Sequence, residues 1–135
     1  MNFSGTILIV DDEAHIRKFV TLILRSLGVT SIVEASNGEE AVATFQRISP
    51  DLVLLDVNMP QVDGIETLKR LKEIDPDVLA IMLTSLANRS TVEQAMQLGA
   101  VNYIRKDTPK EEIARTLSET ISACFETDEP AEPAP

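Results

Sequence analysis

Four apolar runs in this chain each end at a polar residue with chemical potential. Asp11-Asp12 follow Ile7-Leu8-Ile9-Val10, Asp56 follows Leu52 to Leu55, Thr84 follows Val78 to Leu83, and Lys106 comes shortly after Val101 to Ile104. Three carboxylates gathered in one small volume repel one another, and the repulsion is relieved by raised pKa values or by a cation. An all-oxygen ligand set favours Mg²⁺, with Mn²⁺ as the alternative, over zinc. A carboxylate can also be the nucleophile in phosphoryl transfer, giving an aspartyl phosphate. A lysine ammonium then offsets negative charge on the phosphoryl oxygens and a threonine hydroxyl donates to one of them. Together the five residues suit a metal-binding, phosphate-accepting pocket, with the central Asp56 as candidate nucleophile. Singly, each has a plainer reading: Asp11-Asp12 as the start of a helix, Thr84 as a cap or turn residue, Lys106 as a solvated charge.

That chemistry requires an architecture that brings the ends of separate runs together. After the first run, Ile16, Phe19, Val20, Ile23, Leu24 and Leu27 recur at helical spacing, with Gly28 where a C-terminal cap glycine belongs. A short strand over Ser31 to Ala35 leads through Ser36-Asn37-Gly38 to a helix carrying Ala41, Val42, Phe45 and Ile48, stopped at Ser49-Pro50. The run Leu52 to Leu55 is apolar throughout, as a strand covered on both faces must be. Ile65, Leu68 and Leu71 mark a third helix ending at Asp75-Pro76, and Val78 to Leu83 predicts a fourth strand. Val92, Ala95 and Met96 mark a fourth helix closed near Gly99, Val101 to Ile104 a fifth strand, and Ile113, Leu117 and Ile121 a fifth helix. Strict alternation of short buried strands with amphipathic helices predicts a doubly wound α/β fold, a five-stranded parallel sheet with helices on both faces. Ligands bind at the carboxyl ends of such strands, where all five polar residues would lie.

Composition narrows the function classes. The 135 residues suit a single domain able to bury a core without disulfides, and the lone Cys124, beside Ile121 and Phe125, reads as a packing residue. Acidic residues outnumber basic ones 22 to 12, a formal charge of -10 that argues against direct nucleic-acid contact. Residues 126–135 hold four acids, three prolines and no base, so an acidic, Pro-rich disordered tail is expected after a domain covering 1–125. No stretch approaches the roughly 20 apolar residues of a membrane span, and the N-terminus lacks a signal-peptide pattern, so a cytoplasmic protein away from membranes is expected. No glycine-rich phosphate loop follows any strand, which disfavours nucleotide binding. His15, the only histidine, reads as a surface residue of the first helix.

In order and spacing, Asp11-Asp12, the segment Asp56-Val57-Asn58-Met59-Pro60-Gln61-Val62-Asp63-Gly64, Thr84-Ser85 and the segment Gly99 to Lys106 resemble the receiver domain of two-component response regulators. The resemblance runs from about Thr6 to about Phe125. It implies a flavodoxin-like sheet in the order 2-1-3-4-5, and a stand-alone signalling switch rather than a turnover enzyme. Asp56 would be the phosphoacceptor, Asp12 and Asp56 direct Mg²⁺ ligands, Asp11 a ligand through water, and the main-chain carbonyl of Asn58 a further ligand. Thr84 and Lys106 would bind the phosphoryl oxygens, and Tyr103 matches the family's switch aromatic. Asn58 and Leu86 would flank the pocket and influence how readily water reaches the acyl phosphate. The implied phosphodonor is a sensor histidine kinase or a histidine phosphotransfer protein. The implied readout face, for a downstream protein or a homodimer, is the fourth helix, fifth strand and fifth helix.

Two features separate this chain from neighbouring possibilities. Haloacid-dehalogenase-like phosphatases need a second aspartate two residues after the nucleophile, and Asn58 stands there. Receivers usually carry proline after the lysine, often through a cis bond, whereas here Asp107 follows Lys106. A cis bond without proline costs about 2.5–4 kcal/mol, so a trans Lys106–Asp107 bond is expected, with Asp107 facing solvent or capping the fifth helix beside Thr108.

Overall fold

The computed structural model describes residues 3–59, 61–85 and 89–125; Pro60, Leu86 and the expected tail at 126–135 lie outside them. Strands β1 (Thr6–Val10), β2 (Ser31–Ala35), β3 (Leu52–Asp56), β4 (Ala80–Thr84) and β5 (Asn102–Arg105) alternate with helices α1 (Ala14–Ser26), α2 (Gly38–Ile48), α3 (Gly64–Ile74), α4 (Arg89–Gln97) and α5 (Lys110–Phe125). All strand pairs are parallel, and the sheet order is β2-β1-β3-β4-β5.

The period of two along each strand divides the core. Leu8, Val10, Val53, Leu55, Ala80 and Met82 face Ala41, Phe45, Leu68, Leu71 and Ala95 of α2, α3 and α4. Ile7, Ile9, Leu52, Leu54, Ile81, Leu83 and Ile104 face Val20, Ile23, Leu24, Ile113, Leu117 and Ile121 of α1 and α5. With both faces covered, β1, β3 and β4 read as unbroken apolar runs.

Local chemistry sets the element ends. The α1 helix closes in a Schellman motif, with Gly28 at φ 98° donating to the Arg25 carbonyl and Val29 to that of Leu24. The same pair of bonds recurs after α4, from Gly99 to Met96 and from Ala100 to Ala95. Asn37 and Asp63 cap α2 and α3 by accepting from the Glu40 and Glu66 amides, both at 2.8 Å.

Two sequence expectations need correction. The fourth strand begins at Ala80 rather than Val78. Asp75 holds the preceding turn, accepting from the Asp77 amide on its side chain and the Val78 amide on its carbonyl, while Lys72 Nζ donates to the Val78 carbonyl at 3.1 Å. Met96, expected on the apolar face of α4, is 44% exposed, leaving Ala95 as that helix's buried residue among those described.

Gly64 fixes how closely α3 approaches β3. A Cβ there would run into the Asp56 carbonyl oxygen and lie 2.7 Å from Val57 Cα, main-chain atoms that cannot rotate away. Gly64→Ala is expected to lower stability by about 2–3 kcal/mol, read by urea unfolding. An unchanged midpoint would mean that the β3–α3 contact is looser than described.

Candidate functional site at the carboxyl edge of the sheet

Strand register explains why residues distant in sequence meet. Val10 pairs with Leu55, so Asp11 and Asp56 emerge side by side from β1 and β3. Asp56 in turn pairs with Leu83, and Thr84 with Arg105, which brings Thr84 and Lys106 to the same edge. The Lys106 amide donates to the Thr84 carbonyl at 2.8 Å, tying those two positions together through the main chain.

Asp11 and Asp56 are both fully buried. Lys106 Nζ reaches between them, 2.7 Å from Asp11 Oδ2 and 3.1 Å from Asp56 Oδ1, with the exposed Glu13 carboxylate at 3.6 Å. Asp56 Oδ1 also accepts from the Asn58 amide at 3.1 Å. Asp11 Oδ1 accepts from the Glu13 amide at 2.8 Å, which turns the chain from β1 into α1. Asp11 Oδ2 is satisfied by charge rather than by an aligned hydrogen bond, whereas Asp56 Oδ2 is buried with no hydrogen-bond donor among the described residues.

Asp12 completes the cluster from a solvent-exposed position, with Asp11, Asp12 and Asp56 each offering an oxygen within 4.8 Å of the others. Burial, then the neighbouring Asp11 charge, push the Asp56 carboxyl up to about 7, against the opposing pull of Lys106 and the Asn58 amide. Burial pulls the Lys106 ammonium down, but its bonds to Asp11 and Asp56 outweigh this and leave it above the ordinary lysine value. Two buried carboxylates against one nearly buried cation leave excess negative charge. A small hard cation fits this donor set, since an all-oxygen cluster with one unpartnered buried oxygen supplies what such an ion takes.

The remaining expected residues are placed as follows. Thr84 is buried at the end of β4. Asn58 is exposed, just beyond β3, and its main chain faces the cluster through the amide bonded to Asp56. Tyr103 lies on the outward side of β5, 42% exposed. His15 is exposed on α1, as expected, and Cys124 is partly buried. No cis bond occurs among the described residues. Asp107 turns outward and pairs with Arg105 at 3.0 Å, so it neither caps α5 nor competes for Lys106. Sequence reasoning did not single out Glu13 or Arg17. Direct succession to Asp11-Asp12 was the available signal for Glu13. Arg17 Nη1 donates to the Asp11 carbonyl at 2.6 Å, a contact with no motif behind it.

Among the described residues, no helix is long and apolar enough to cross a membrane. A family model described as the response regulator receiver domain matches residues 7–118. The chain is 38% identical over 116 residues to the chemotaxis protein CheY of Bacillus subtilis, covering 86% of this chain and 97% of that one. It is 32% identical over 112 residues to the CheY of Thermotoga maritima, covering 83% and 93%. A complex of CheX with CheY, BeF3 and Mg²⁺ from Borrelia burgdorferi superimposes with a TM-score of 0.80 at 31% identity, covering 89% of this chain and 88% of that one. With the family model spanning most of the sequence and CheY relatives matched along nearly their whole length, the chain belongs to the response regulator receiver domains of two-component signalling.

Proposed function

We propose that this chain is a phosphorylation switch in which Asp56 accepts a phosphoryl group from a sensor histidine kinase or a histidine phosphotransfer protein. The observation that carries this reading is the state of the Asp56 carboxylate. It is fully buried, one oxygen is held by Lys106 and the Asn58 amide, and the other has no hydrogen-bond donor among the described residues. A carboxylate so held is oriented for attack and keeps a lone pair free for an electrophile. In the transfer, a bond forms between an Asp56 oxygen and phosphorus while the bond from phosphorus to the donor atom breaks. With an acyl phosphate the leaving group is a carboxylate, so once Asp56 is ionised no proton need move.

Asp11, Asp12, Asp56 and the Asn58 carbonyl would hold Mg²⁺, with Mn²⁺ as a substitute, which when bound offsets the charge of the phosphoryl oxygens. The B. burgdorferi relative, captured with BeF3 and Mg²⁺, supports a site of this kind. Lys106 leaves Asp56 for a phosphoryl oxygen, and Thr84 donates its hydroxyl to another. Movement of Thr84 and Lys106 toward the phosphoryl group draws on the ends of β4 and β5, and Tyr103 reports it at the surface. The face formed by α4, β5 and α5 then meets a downstream protein or a second copy. A ratio moved from 1:99 to 99:1 requires about 5.5 kcal/mol of differential interaction, and only contacts made with the phosphoryl group can supply it. The receiver unit on this reading extends to about residue 125.

Incubation with Mg²⁺ and a small acyl phosphate, followed by intact-mass measurement, tests the reading. The wild type is expected to gain the mass of one phosphoryl group, and neither Asp56→Asn nor wild type in chelator should do so. Equal labelling of the Asn variant would overturn it.

A further inference from the structure

We infer that Arg17, anchored by Glu34, is a positioning residue that fixes the Asp11-Asp12 turn for cation binding; the inference rests on the site reading above. Arg17 projects from the start of α1 with its side chain 17% exposed, and makes two bonds of different kinds. Nη1 donates to the Asp11 carbonyl at 2.6 Å and Nε donates to Glu34 Oε1 on β2 at 2.8 Å. The Asp11 amide donates to the Ala35 carbonyl, also on β2, at 3.2 Å. Asp11 Oδ1 is taken by the Glu13 amide. The N–H, C=O and Oδ1 of Asp11 thus each have a fixed partner, and only Oδ2 turns to Lys106 and the carboxylate cluster.

A surface ion pair joining a helix to an edge strand is worth only about 0–1 kcal/mol, so stability gives little reason for Arg17 in particular. Its geometry supplies a better one. The planar guanidinium donates in two fixed directions at once, so Glu34 sets the plane and the plane sets the Asp11 carbonyl. Ligand oxygens gain affinity when the groups behind them hold them rigidly, and such outer partners commonly contribute 10–100-fold. A lysine cannot reproduce the two-way fork.

Charge and geometry predict opposite signs for removing Arg17. Deleting a cation near a cation site tightens Mg²⁺ binding if charge alone matters, and loosens it if Arg17 positions the turn. Isothermal titration of Mg²⁺ into the full chain, compared for wild type, Arg17→Ala, Arg17→Lys and Glu34→Gln, separates the two. The expected result is affinity lowered about 5–20-fold in both Arg17 variants, with lysine failing to rescue. Glu34→Gln should show a smaller loss and add little to Arg17→Ala, because the two residues act as one unit. The Glu13 amide ¹H–¹⁵N signal should shift in the metal-free Arg17 variants. If alanine prevents folding, the lysine variant carries the test. Mg²⁺ affinity within twofold of wild type, or tighter, in the Arg17 variants overturns the inference while leaving the site intact. Absence of Mg²⁺ uptake by the wild type overturns the site reading itself and this inference with it.

Discussion

Without divalent metal at pH 8, Asp56→Asn should be more stable than the wild type by about 3 kcal/mol. Removing a charged side chain from a protein core is usually damaging, but here the charge is the damage. Asp56 is fully buried, and burial together with Asp11 pushes its carboxyl up to about 7 in spite of Lys106 and the Asn58 amide. A carboxyl whose folded pKa lies above its ordinary value of 3.8 keeps, in the folded state, a proton that the unfolded chain releases. Its contribution to stability is therefore complete below 3.8 and is lost as pH rises to about 7. Asparagine has no such loss, so its advantage should be largest above pH 7 and narrow as pH falls toward 4. Urea unfolding of both proteins in chelator across that range measures it. Adding Mg²⁺ should restore much of the wild type's deficit and do little for the variant. An Asn variant no more stable than wild type at pH 8 would show that the buried cluster is not under electrostatic strain.

Lys106→Met should move metal-free stability the other way, lowering it by about 2–3 kcal/mol at pH 7, while enlarging the stabilisation that Mg²⁺ provides. The ammonium is nearly buried and lies between two fully buried carboxylates, so its removal strands both. Methionine retains the aliphatic stem, which lines a small apolar cavity together with Ile16, Phe19, Ile104 and Ile113, so the loss reports on charge rather than on missing volume. With its competing cation gone, the cluster holds a divalent ion more tightly. Because ion pairs hold the Lys106 pKa above its ordinary value, the contribution is present below that value and disappears only as pH rises through the lysine range. Denaturation with and without Mg²⁺ distinguishes this paired outcome from simple unfolding. A variant as stable as wild type without metal would contradict the account of Lys106.

Sheet and site were legible to different depths, for a physical reason. Unbroken apolar runs at β1, β3 and β4 are dictated by burial on both faces, and the one-sided burial of the helices leaves its mark at every third or fourth residue. Once parallel strands are inferred, residues following them must share an edge, which is how Asp11, Asp56, Thr84 and Lys106 could be grouped before any contact was known. Long-range side-chain contacts leave no such periodic trace. Arg17 reaches the Asp11 carbonyl across a turn, and Glu13 approaches Lys106 across the sheet edge, through rotamers that no local spacing encodes. Exposure at a helix margin is likewise set by neighbours, which is why Met96 was misplaced on the buried face. The Lys106–Asp107 bond illustrates the other extreme. The energetic preference for trans decided it from the sequence, and the outward Asp107–Arg105 pair leaves Lys106 free to reach the carboxylates.

The most direct test is to locate the phosphoryl group. After incubation with Mg²⁺ and an acyl phosphate, borohydride reduction converts an aspartyl phosphate to homoserine, which peptide sequencing by mass spectrometry assigns to one position. Homoserine at position 56 alone, absent when Mg²⁺ is chelated, is the expected result. Homoserine at another aspartate with Asp56 unmodified, or none under conditions where the folded protein binds Mg²⁺, would contradict it.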